Sequence, residues 1–483
     1  MSTNTSIQNR YTPVIGLEVH AQLSTRTKIY NADSVSFGDA PNTNVSVITL
    51  AHPGTLPKLN KKVVEYAIKM GLACNCEISR RQIFDRKNYF YPDLPKGYQI
   101  TQDRTPICKG GFITIKTKDG IEKNIPLNRI HIEEDAGKSM HLEGQNESVL
   151  DFNRAGTALI EIVTEPAIRT SEEAGLILAE IRKLVRYLDI CDGNMEEGSL
   201  RCDANVSIMP AGSAVLGKKV EIKNMNSIRN VQRAIDHEIE RQVREVGQGN
   251  TILSETRLFD AGSGKTFGMR TKEELNDYRY FPDPDLSPLE ISESWLNAIK
   301  ASMPELPKAL YSKYINKYQL PEYDALVITD SKDVAKYFEE VCRHTTNYKA
   351  ASNWIMGPVK SYLNEHNRFP VTPEVLAELI AMIDQGKISF SVASQNILPE
   401  LLKNPDESPN AVASRLNLIL DSNVDSILPI VKEVIKEFPL KVEEYKNGKK
   451  AIITMFMGEV MKRSKGKADP KRANELLIEN LKS

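Results

Sequence analysis

The sequence predicts an α+β fold for residues 1–294, with a mixed or antiparallel sheet, followed by an all-helical domain and a small helical tail domain. Three observations lead to this prediction. A chain of 483 residues is too long for a single hydrophobic core. Strand-like alternation and helical periodicity are mixed up to about residue 294. From about residue 295, helical patterns broken by prolines take over.

Composition limits the class of protein. The chain is 41% hydrophobic and 26% charged, with a formal net charge of -1, so any nucleic-acid partner must use a local basic patch. The N-terminus lacks an apolar core, and no segment approaches the roughly 20 apolar residues that span a bilayer. We therefore expect a protein that is neither secreted nor membrane-bound. The scattered cysteines predict reduced thiols in a cytoplasmic protein; they are Cys74, Cys76, Cys108, Cys191, Cys202 and Cys342.

The first strand, VIGLEVHAQL, carries polar side chains where a core strand is expected. With a two-residue repeat, Glu18 and His20 share one face, while Leu17 and Val19 share the other. Glu18 and His20 are therefore candidate ligands.

An acid also lies inside an apolar strand, where Glu161 stands between Ile160 and Ile162. A buried carboxylate without a partner costs several kcal/mol or is neutralised. Glu161 should therefore have a cation partner, either a metal ion or an Arg or Lys side chain.

Two irregular stretches combine aromatic and charged residues. FDRKNYFYPDLPKGYQITQ contains Pro92 and Pro95, which cannot continue a helix, together with the cations Arg86, Lys87 and Lys96. It is either a rigid surface loop or a binding loop, and stacking with anion contact favours binding. DYRYFPDPDL adds Arg279, which could clamp a phosphate or carboxylate or simply pair with an acid.

The middle of the first domain alternates helices and strands. Thr170 and Glu173 form a capping box ahead of a helix that runs to about residue 190. In the strand that follows, Arg201, Asp203 and Asn205 point one way, either into solvent or into a site. AGSGKT at 261–266 resembles a phosphate-binding loop, but Phe259 replaces the first glycine and the flanks predict a hairpin.

The helical part divides into residues 295–405 and a tail at 406–483, with the linker-like KNPDESPN between them. Residues 441–483 contain 11 Lys/Arg against 6 Asp/Glu. Such a run is usually a solvated face, yet it is also the best electrostatic footprint for a nucleic-acid backbone in the chain. The residues concerned are Lys462, Arg463, Lys465, Lys467, Lys471 and Arg472.

Seven motifs in order carry a family resemblance: VIGLEVHAQL, HPGTLPKLN, FDRKNYFYPDLPKGYQITQ, RIHIEEDAGKS, DFNRAGTALIEIVTEP, MEEGSLRCDANVSI and DYRYFPDPDL. With a tail ending in GEVMKRSKGKADP, the chain resembles the B subunit of the glutamyl/aspartyl-tRNA amidotransferase over almost its whole length. The resemblance implies a glutamine-synthetase-like cradle domain, a helical domain and a YqeY-like tail that holds tRNA.

The resemblance also implies a reaction and partners. A protein of this family uses ATP and a divalent metal to phosphorylate the side-chain carboxylate of glutamate on tRNA-Gln or aspartate on tRNA-Asn. Ammonia then displaces the phosphate. The ammonia comes from an amidase-type A subunit, which works with a small C subunit. A further partner that the resemblance suggests is a non-discriminating aminoacyl-tRNA synthetase. Mg²⁺ is the expected ion, although a histidine ligand suits Mn²⁺ or Zn²⁺ better.

Site residues follow from the motifs. The resemblance implies Glu18, His20, Glu134 and Glu161 as metal ligands. Glu134 would also act as a general base toward ammonia. Lys87 and Glu18 would take part in catalysis. The phosphate or nucleotide neighbours would be Lys87, Arg201, Asp203, Asn205 and Arg279. Two rivals stay open: a non-catalytic tRNA-binding adaptor and a metal-dependent hydrolase.

Overall fold

The computed structural model describes residues 10–141, 147–271, 278–420, 424–464 and 467–482. The chain forms two compact units, residues 1–306 and 307–483. The first unit extends past the predicted boundary at residue 295, because Leu296 and Ile299 are buried in its core. The further boundary at residue 406 stays a prediction.

In its described residues, the first unit contains the strands and four helices. Its strands are β1 (Tyr11–Gln22), β2 (Glu77–Ile78), β3 (Arg81–Gln82), β4 (Asp85–Asn88), β5 (Tyr98–Thr101), β6 (Cys108–Lys109), β7 (Phe112–Lys116), β8 (Glu122–Glu134), β9 (Lys138–His141), β10 (Ser148–Asp151), β11 (Ala158–Thr164), β12 (Leu200–Pro210), β13 (Val220–Lys223), β14 (Glu255–Asp260), β15 (Lys265–Thr271), β16 (Phe281–Pro282) and β17 (Leu289–Glu290). Its helices are α1 (Lys61–Ala73), α2 (Ser171–Tyr187), α3 (Ile228–Gly247) and α4 (Glu293–Ala301).

The main sheet is mixed and confirms the predicted fold class. Among the described residues its order is β15-β14-β13-β12-β1-β11-β8-β6-β2, and β7 pairs with β8. Neighbouring strands run antiparallel except for the parallel pair β13 and β14. Helices α1, α2 and α3 pack on one face. The apolar side chains of the central strands, such as Leu17, Val19 and Ala204, are buried beneath them.

The helix after residue 170 begins as predicted. The Thr170 side chain accepts a hydrogen bond from the Glu173 backbone N–H at 3.1 Å. The Glu173 carboxylate accepts from the backbone N–H of Arg169 at 2.8 Å, so it reaches back to the residue before the cap. Ile177, Leu178 and other apolar residues of α2 are buried, which ties this helix to the sheet.

A second, small sheet stands beside the main one. Its order is β16-β4-β5, and Lys87 pairs with Gln99 across β4 and β5. The FDRKNYFYPDLPKGYQITQ stretch is therefore a hairpin whose connection is residues 89–97, which holds both prolines. The DYRYFPDPDL stretch, predicted as a loop, contributes the short strand β16.

The hairpin predicted around AGSGKT is confirmed. Strands β14 and β15 pair antiparallel and join at a turn after Asp260. The carboxylate of Asp260 accepts from the backbone N–H of Ser263 at 2.7 Å, and Gly264 has φ +69°. No helix follows this turn within the described residues 265–271 and 278–292, as a phosphate-binding loop would require.

The second unit is helical. Its helices are α5 (Pro307–Asn316), α6 (Glu322–Thr329), α7 (Lys332–His344), α8 (Tyr348–Trp354), α9 (Lys360–His366), α10 (Pro373–Asp384), α11 (Phe390–Val392), α12 (Leu398–Lys403), α13 (Pro409–Arg415), α14 (Val424–Glu437), α15 (Pro439–Lys446), α16 (Ile453–Arg463) and α17 (Pro470–Lys482). Turns of π-helix precede α9 and α12, and a 3-10 turn precedes α16.

The last four helices have a core of their own. Val431 on α14, Phe456 and Val460 on α16 and Leu477 on α17 are fully buried together. Helix α13, by contrast, packs against α10 and α12. The linker before it therefore shortens to residues 404–408, and a cut at residue 410 would remove part of the preceding helical packing.

Candidate metal and nucleotide site

The polar face of the main sheet forms one wall of a cavity of about 1050 Å³. Residues of β4 and β5 and the segment before β16 form another wall. The cavity lies within the first unit. It is lined by Glu18, His20, Lys87, Tyr89, Gln99, Thr101, Gln102, Asp103, Arg129, His131, Glu133, Asp135, Ala136, Leu159, Glu161, Val163, Arg201, Asp203, Asn205, Lys219, Glu221, Lys223, Asn224, Tyr278 and Tyr280.

Two imidazoles and two carboxylates converge in this cavity. The strand register brings them together, because His20 on β1 stands opposite Glu161 on β11, which stands opposite His131 on β8. The Nε2 atom of His20 lies 3.4 Å from Glu133 and 3.6 Å from Glu161. The Nε2 atom of His131 lies 3.1 Å from Glu161 and 3.8 Å from Glu133. The predicted partner of Glu161 is therefore an imidazole pair in this structure.

The charged groups of this cluster shift one another's pKa values. Burial would lower the pKa of His131, but its contacts with Glu133 and Glu161 raise it to about 9. Burial would raise the pKa of Glu161, but His131, and then His20 and Lys87, lower it well below its usual range. Within the described part of the chain, the buried Nδ1 atom of His131 has no hydrogen-bond partner. At neutral pH, the positive charge of His131 therefore offsets part of the negative charge of the two acids.

Three of these residues could hold a divalent ion. One ligand atom each from His20, Glu133 and Glu161 lie within 4.8 Å of one another. The Nε2 atom of His20 lies 3.4 and 3.6 Å from the two carboxylates, and two ligand atoms with bonds of about 2.0–2.2 Å to one ion lie no more than about 4.4 Å apart. One nitrogen and two carboxylate oxygens suit Mn²⁺ or Zn²⁺ well and Mg²⁺ less well. The residues present thus fit a divalent metal, without fixing which one.

Glu134, predicted as a ligand, is not brought to this cluster. Successive side chains of a strand face opposite sides, so Glu133 points into the large cavity and Glu134 points away from it. The Glu134 carboxylate is contacted by the Lys96 ammonium and accepts from the Ile100 backbone N–H at 2.8 Å. The structure therefore places Glu133 where the motif-based assignment placed Glu134.

Glu18 lines the cavity beside the cluster. Its carboxylate accepts a hydrogen bond from Asn205 at 2.8 Å. Burial, followed by the negative charges of Glu161, Glu221 and Asp203, raises its pKa. Among the described residues, the three-residue ligand group does not include Glu18. Glu18 is thus a neighbour of the group, and its role as a ligand stays a prediction.

The predicted phosphate neighbours mostly reach the cavity. Lys87, Arg201, Asp203 and Asn205 line it. Arg201 donates to Asp135 at 2.8 Å, and Lys223 contacts Asp203. The polar row on β12 therefore lines this cavity.

Arg279 is placed differently. Among the described residues, the cavity lining includes Tyr278 and Tyr280 on either side of it but not Arg279 itself. Its side chain is exposed, and its backbone has φ +45°.

Several residues of the cavity were not predicted as site residues. They are His131, Glu133, Tyr89, Tyr278, Tyr280, Glu221 and Lys223. A signal for Glu133 existed in the sequence: counting in twos along RIHIEED places His131 and Glu133 on one face. The tyrosines gave no comparable signal, because nothing in the sequence shows which aromatic residues of a loop face inward.

The predicted tRNA-binding residues lie at the end of the second unit. Arg463 pairs with Glu433 and Glu437, and Arg472 pairs with Glu475. Lys462 lies 3.8 Å from Glu459, while Lys467 donates to Asn417 at 3.0 Å. Lys471 is exposed, and Lys465 lies outside the described residues. Much of this basic charge is therefore already matched by neighbouring acids.

Comparison with known families identifies the class of protein. Residues 13–297 match the model described as the GatB/GatE catalytic domain, and residues 336–481 match the model described as the GatB domain. The first match contains the whole cluster and its cavity.

Full-length relatives then identify the family, and the chain belongs to the GatB family, that of the amidotransferase B subunits. It is similar to proteins of Synechococcus sp. (strain JA-3-3Ab), 48% identical over 98% of both chains, and of Thermoanaerobacter pseudethanolicus, 47% identical over 98% of this chain and 99% of the relative. A protein of Geobacter sulfurreducens is 48% identical over 98% of this chain and 99% of the relative. All three are named as the B subunit of aspartyl/glutamyl-tRNA(Asn/Gln) amidotransferase.

None of the described helices is both long enough and apolar enough to cross a membrane.

Proposed function

We propose that this protein activates and amidates the side-chain carboxylate of glutamate on tRNA-Gln, of aspartate on tRNA-Asn, or of both, as one member of an ATP-dependent amidotransferase complex. The observation that carries the proposal is the His20, Glu133 and Glu161 group in a cavity that also holds Lys87 and Arg201. The names of the relatives support the choice of substrate.

The chemistry explains why such a cavity is needed. A carboxylate resists attack by ammonia, because it is negative and its oxygen is a poor leaving group. Phosphoryl transfer from ATP gives an acyl phosphate, and phosphate then leaves as ammonia attacks. This transfer depends mainly on positioning and on neutralising charge.

The chain's own residues supply both requirements. His20, Glu133 and Glu161 would hold the divalent ion, which when bound neutralises charge on the phosphates. The Lys87 ammonium lines the same cavity and acts electrostatically on Glu161, and Arg201, oriented by Asp135, presents its guanidinium to the cavity. The polar row on β12 thus orients phosphate or carboxylate oxygens against the acidic strands.

Ammonia would come from a separate glutaminase through a second, smaller cavity. This cavity measures about 190 Å³ and is lined by Tyr30, Lys96 and Glu134, among others. Asp135 lines both cavities, so the smaller one adjoins the larger. Glu134, buried against Lys96, would accept a proton from ammonia as it attacks.

Exposed apolar residues next to the lining of the smaller cavity, which we call its rim, indicate where the glutaminase partner docks. Leu56 is 63% exposed and lies between the lining residues Thr55 and Pro57. Phe90 is 90% exposed and precedes the lining residues Leu94 and Pro95. Exposed apolar residues around a cavity mouth are typical of a protein interface.

We expect Phe90→Asp to weaken binding of the amidase-type partner at least tenfold, because a charge would be buried at the interface. The measurement is the dissociation constant for the purified partner, by calorimetry. Leu440→Asp is the matched control, since Leu440 is 74% exposed but lies in the second unit. Equal affinities for both variants would remove this rim from the interface.

The tail is proposed to bind tRNA. Removing residues 421–483 should lower tRNA affinity about a hundredfold and flatten its salt dependence, while ATP binding stays intact. Filter binding over a salt series measures the tRNA affinity and its salt dependence, and equilibrium dialysis measures ATP binding. Lys471→Glu should weaken tRNA binding more than the control Lys432→Glu does, since Lys432 is an exposed lysine elsewhere in the tail. An unchanged salt slope after truncation would argue against this role.

ADP formation tests the function as a whole. In the assembled complex, misacylated tRNA should strongly stimulate ADP release. Turnover indifferent to tRNA would favour a hydrolase, and no turnover would favour an adaptor.

The remaining details of the proposal concern ion, partners and compartment. Mg²⁺ is proposed as the working ion, with Mn²⁺ or Zn²⁺ as alternatives that a histidine ligand favours. The amidase-type A subunit and a small C subunit would complete the complex, and a non-discriminating synthetase would supply the misacylated tRNA. The cytoplasm, where reduced thiols persist, is the proposed compartment.

A further inference from the structure

Three aromatic rings stand together in a cavity lined mainly by polar and charged side chains. Tyr89, Tyr278 and Tyr280 all line it, and we refer to them as the tyrosine wall. Tyr278 contacts the other two edge to face, with ring centroids 6.2 Å from Tyr89 and 6.0 Å from Tyr280. Phosphoryl transfer needs charged groups and does not by itself explain an aromatic surface at this place.

The backbone holds the tyrosine wall in position. The Asn88 backbone N–H donates to the Tyr278 carbonyl at 3.0 Å, and the Asn88 side chain donates to the carbonyls of Tyr278 and Arg279 at 3.1 and 2.9 Å. Pairing of β16 with β4 continues this attachment after Tyr280. Two segments about 190 residues apart in sequence are thus fixed as one surface, as a preorganised binding platform requires.

The tyrosine wall adjoins the anion-binding part of the cavity. The Lys87 ammonium lies 4.8 Å from the centroid of the Tyr278 ring. Lys87 also acts electrostatically on Glu161 of the ligand group. A ligand that placed a phosphate or carboxylate at Lys87 would therefore bring an attached ring system against the tyrosines.

We propose that the tyrosine wall stacks against the adenine ring of an adenosine, with Tyr280 as the contacting ring and Tyr278 as its support. Tyr280 is 39% exposed, so its ring is open to a ligand. The inference rests on the proposed function, which brings two adenosines to the cavity: that of ATP and that at the 3′ end of the tRNA. Every base offers a π face, and aromatic stacking contributes to binding without sequence-specific hydrogen bonds.

The test compares Tyr280→Leu with Tyr280→Phe in the assembled complex. Leucine removes the ring, while phenylalanine keeps it. One arm measures the affinity for ADP without RNA. The other measures the affinity for uncharged tRNA with and without its 3′-terminal adenosine. Loss of stacking should weaken the affinity for ADP or for the terminal adenosine of tRNA roughly five- to a hundredfold in the leucine variant. The phenylalanine variant should stay near wild type.

The arm that changes identifies the source of the adenosine. Weaker ADP binding in Tyr280→Leu assigns the wall to ATP. If Tyr280→Leu no longer binds tRNA with its 3′-terminal adenosine more tightly than tRNA without it, the tyrosine wall is assigned to tRNA. Unchanged affinities in both arms, or equal losses in both variants, would overturn the proposal. Because these are binding measurements, such a failure is distinct from failure of the proposed function, which would appear as wild-type ADP formation that ignores misacylated tRNA.

Discussion

Replacing Glu161 by glutamine should lower tRNA-dependent ADP formation about 1000-fold, equivalent to roughly 4 kcal/mol of transition-state stabilisation. Glu161 contacts both His20 and His131, and it is one of the three residues that could bind a divalent ion. Glutamine keeps the size of the side chain but removes its negative charge. The ion would bind more weakly, and His131 would lose the acid that supports its protonation. Initial rates of ADP release by the assembled complex, at saturating misacylated tRNA, measure the effect.

A control on the same segment separates this effect from general damage. The control is Glu165→Gln. Glu165 lies one residue beyond β11 and accepts a hydrogen bond from Asn128 at the surface. The rate of this variant should stay within about twofold of wild type, because surface substitutions away from special features are usually nearly neutral. Raising the ion concentration should partly restore Glu161→Gln. A rate for Glu161→Gln as high as that of the control would contradict the proposed role of the cluster.

Glu134→Gln should separate the two half-reactions. We expect glutamine-driven amide formation to fall about a hundredfold, because general-base catalysis contributes roughly 10²- to 10⁴-fold. ADP formation and tRNA affinity should remain close to wild type, since Glu134 faces the smaller cavity and Lys96. The measurements are the ratio of amidated tRNA to ADP and a tRNA-binding isotherm.

The neighbouring residue provides the matched variant. Glu133→Gln is the same chemical change one position earlier, but on the side of the cluster. It should lower ADP formation and amidation together. If Glu134→Gln also lost ADP formation, the two acids would share one role and the assignment of Glu134 to ammonia would fail.

Local patterns were sufficient for much of the fold and for part of the site. The two-residue repeat correctly placed Glu18 and His20 on the face opposite the apolar core. It also assigned the row of Arg201, Asp203 and Asn205 to one face, and that face lines the cavity. Sequence spacing determines direction in these strands, because successive side chains point to opposite faces of the sheet.

Motif membership favours Glu134 as the ligand, whereas the two-residue repeat counted from His131 favours Glu133, the residue that the structure places in the cluster. The tyrosine wall depends on pairing between β16 and β4, in which Phe281 stands opposite Arg86 across a long stretch of sequence. Long-range pairing of such short strands leaves no periodic signal. The helix at 293–301 was assigned to the wrong side of a boundary for the same reason, because its periodicity does not reveal which core buries it.

The pleat of β8 has an evolutionary consequence. Two adjacent codons specify acids that face different cavities, Glu133 the larger and Glu134 the smaller, so point mutations can alter either acid independently. Deleting one codon upstream in the strand would instead reverse the orientation of both at once. We expect lineages of this gene to tolerate length changes in the connections around β8 but not within the strand itself.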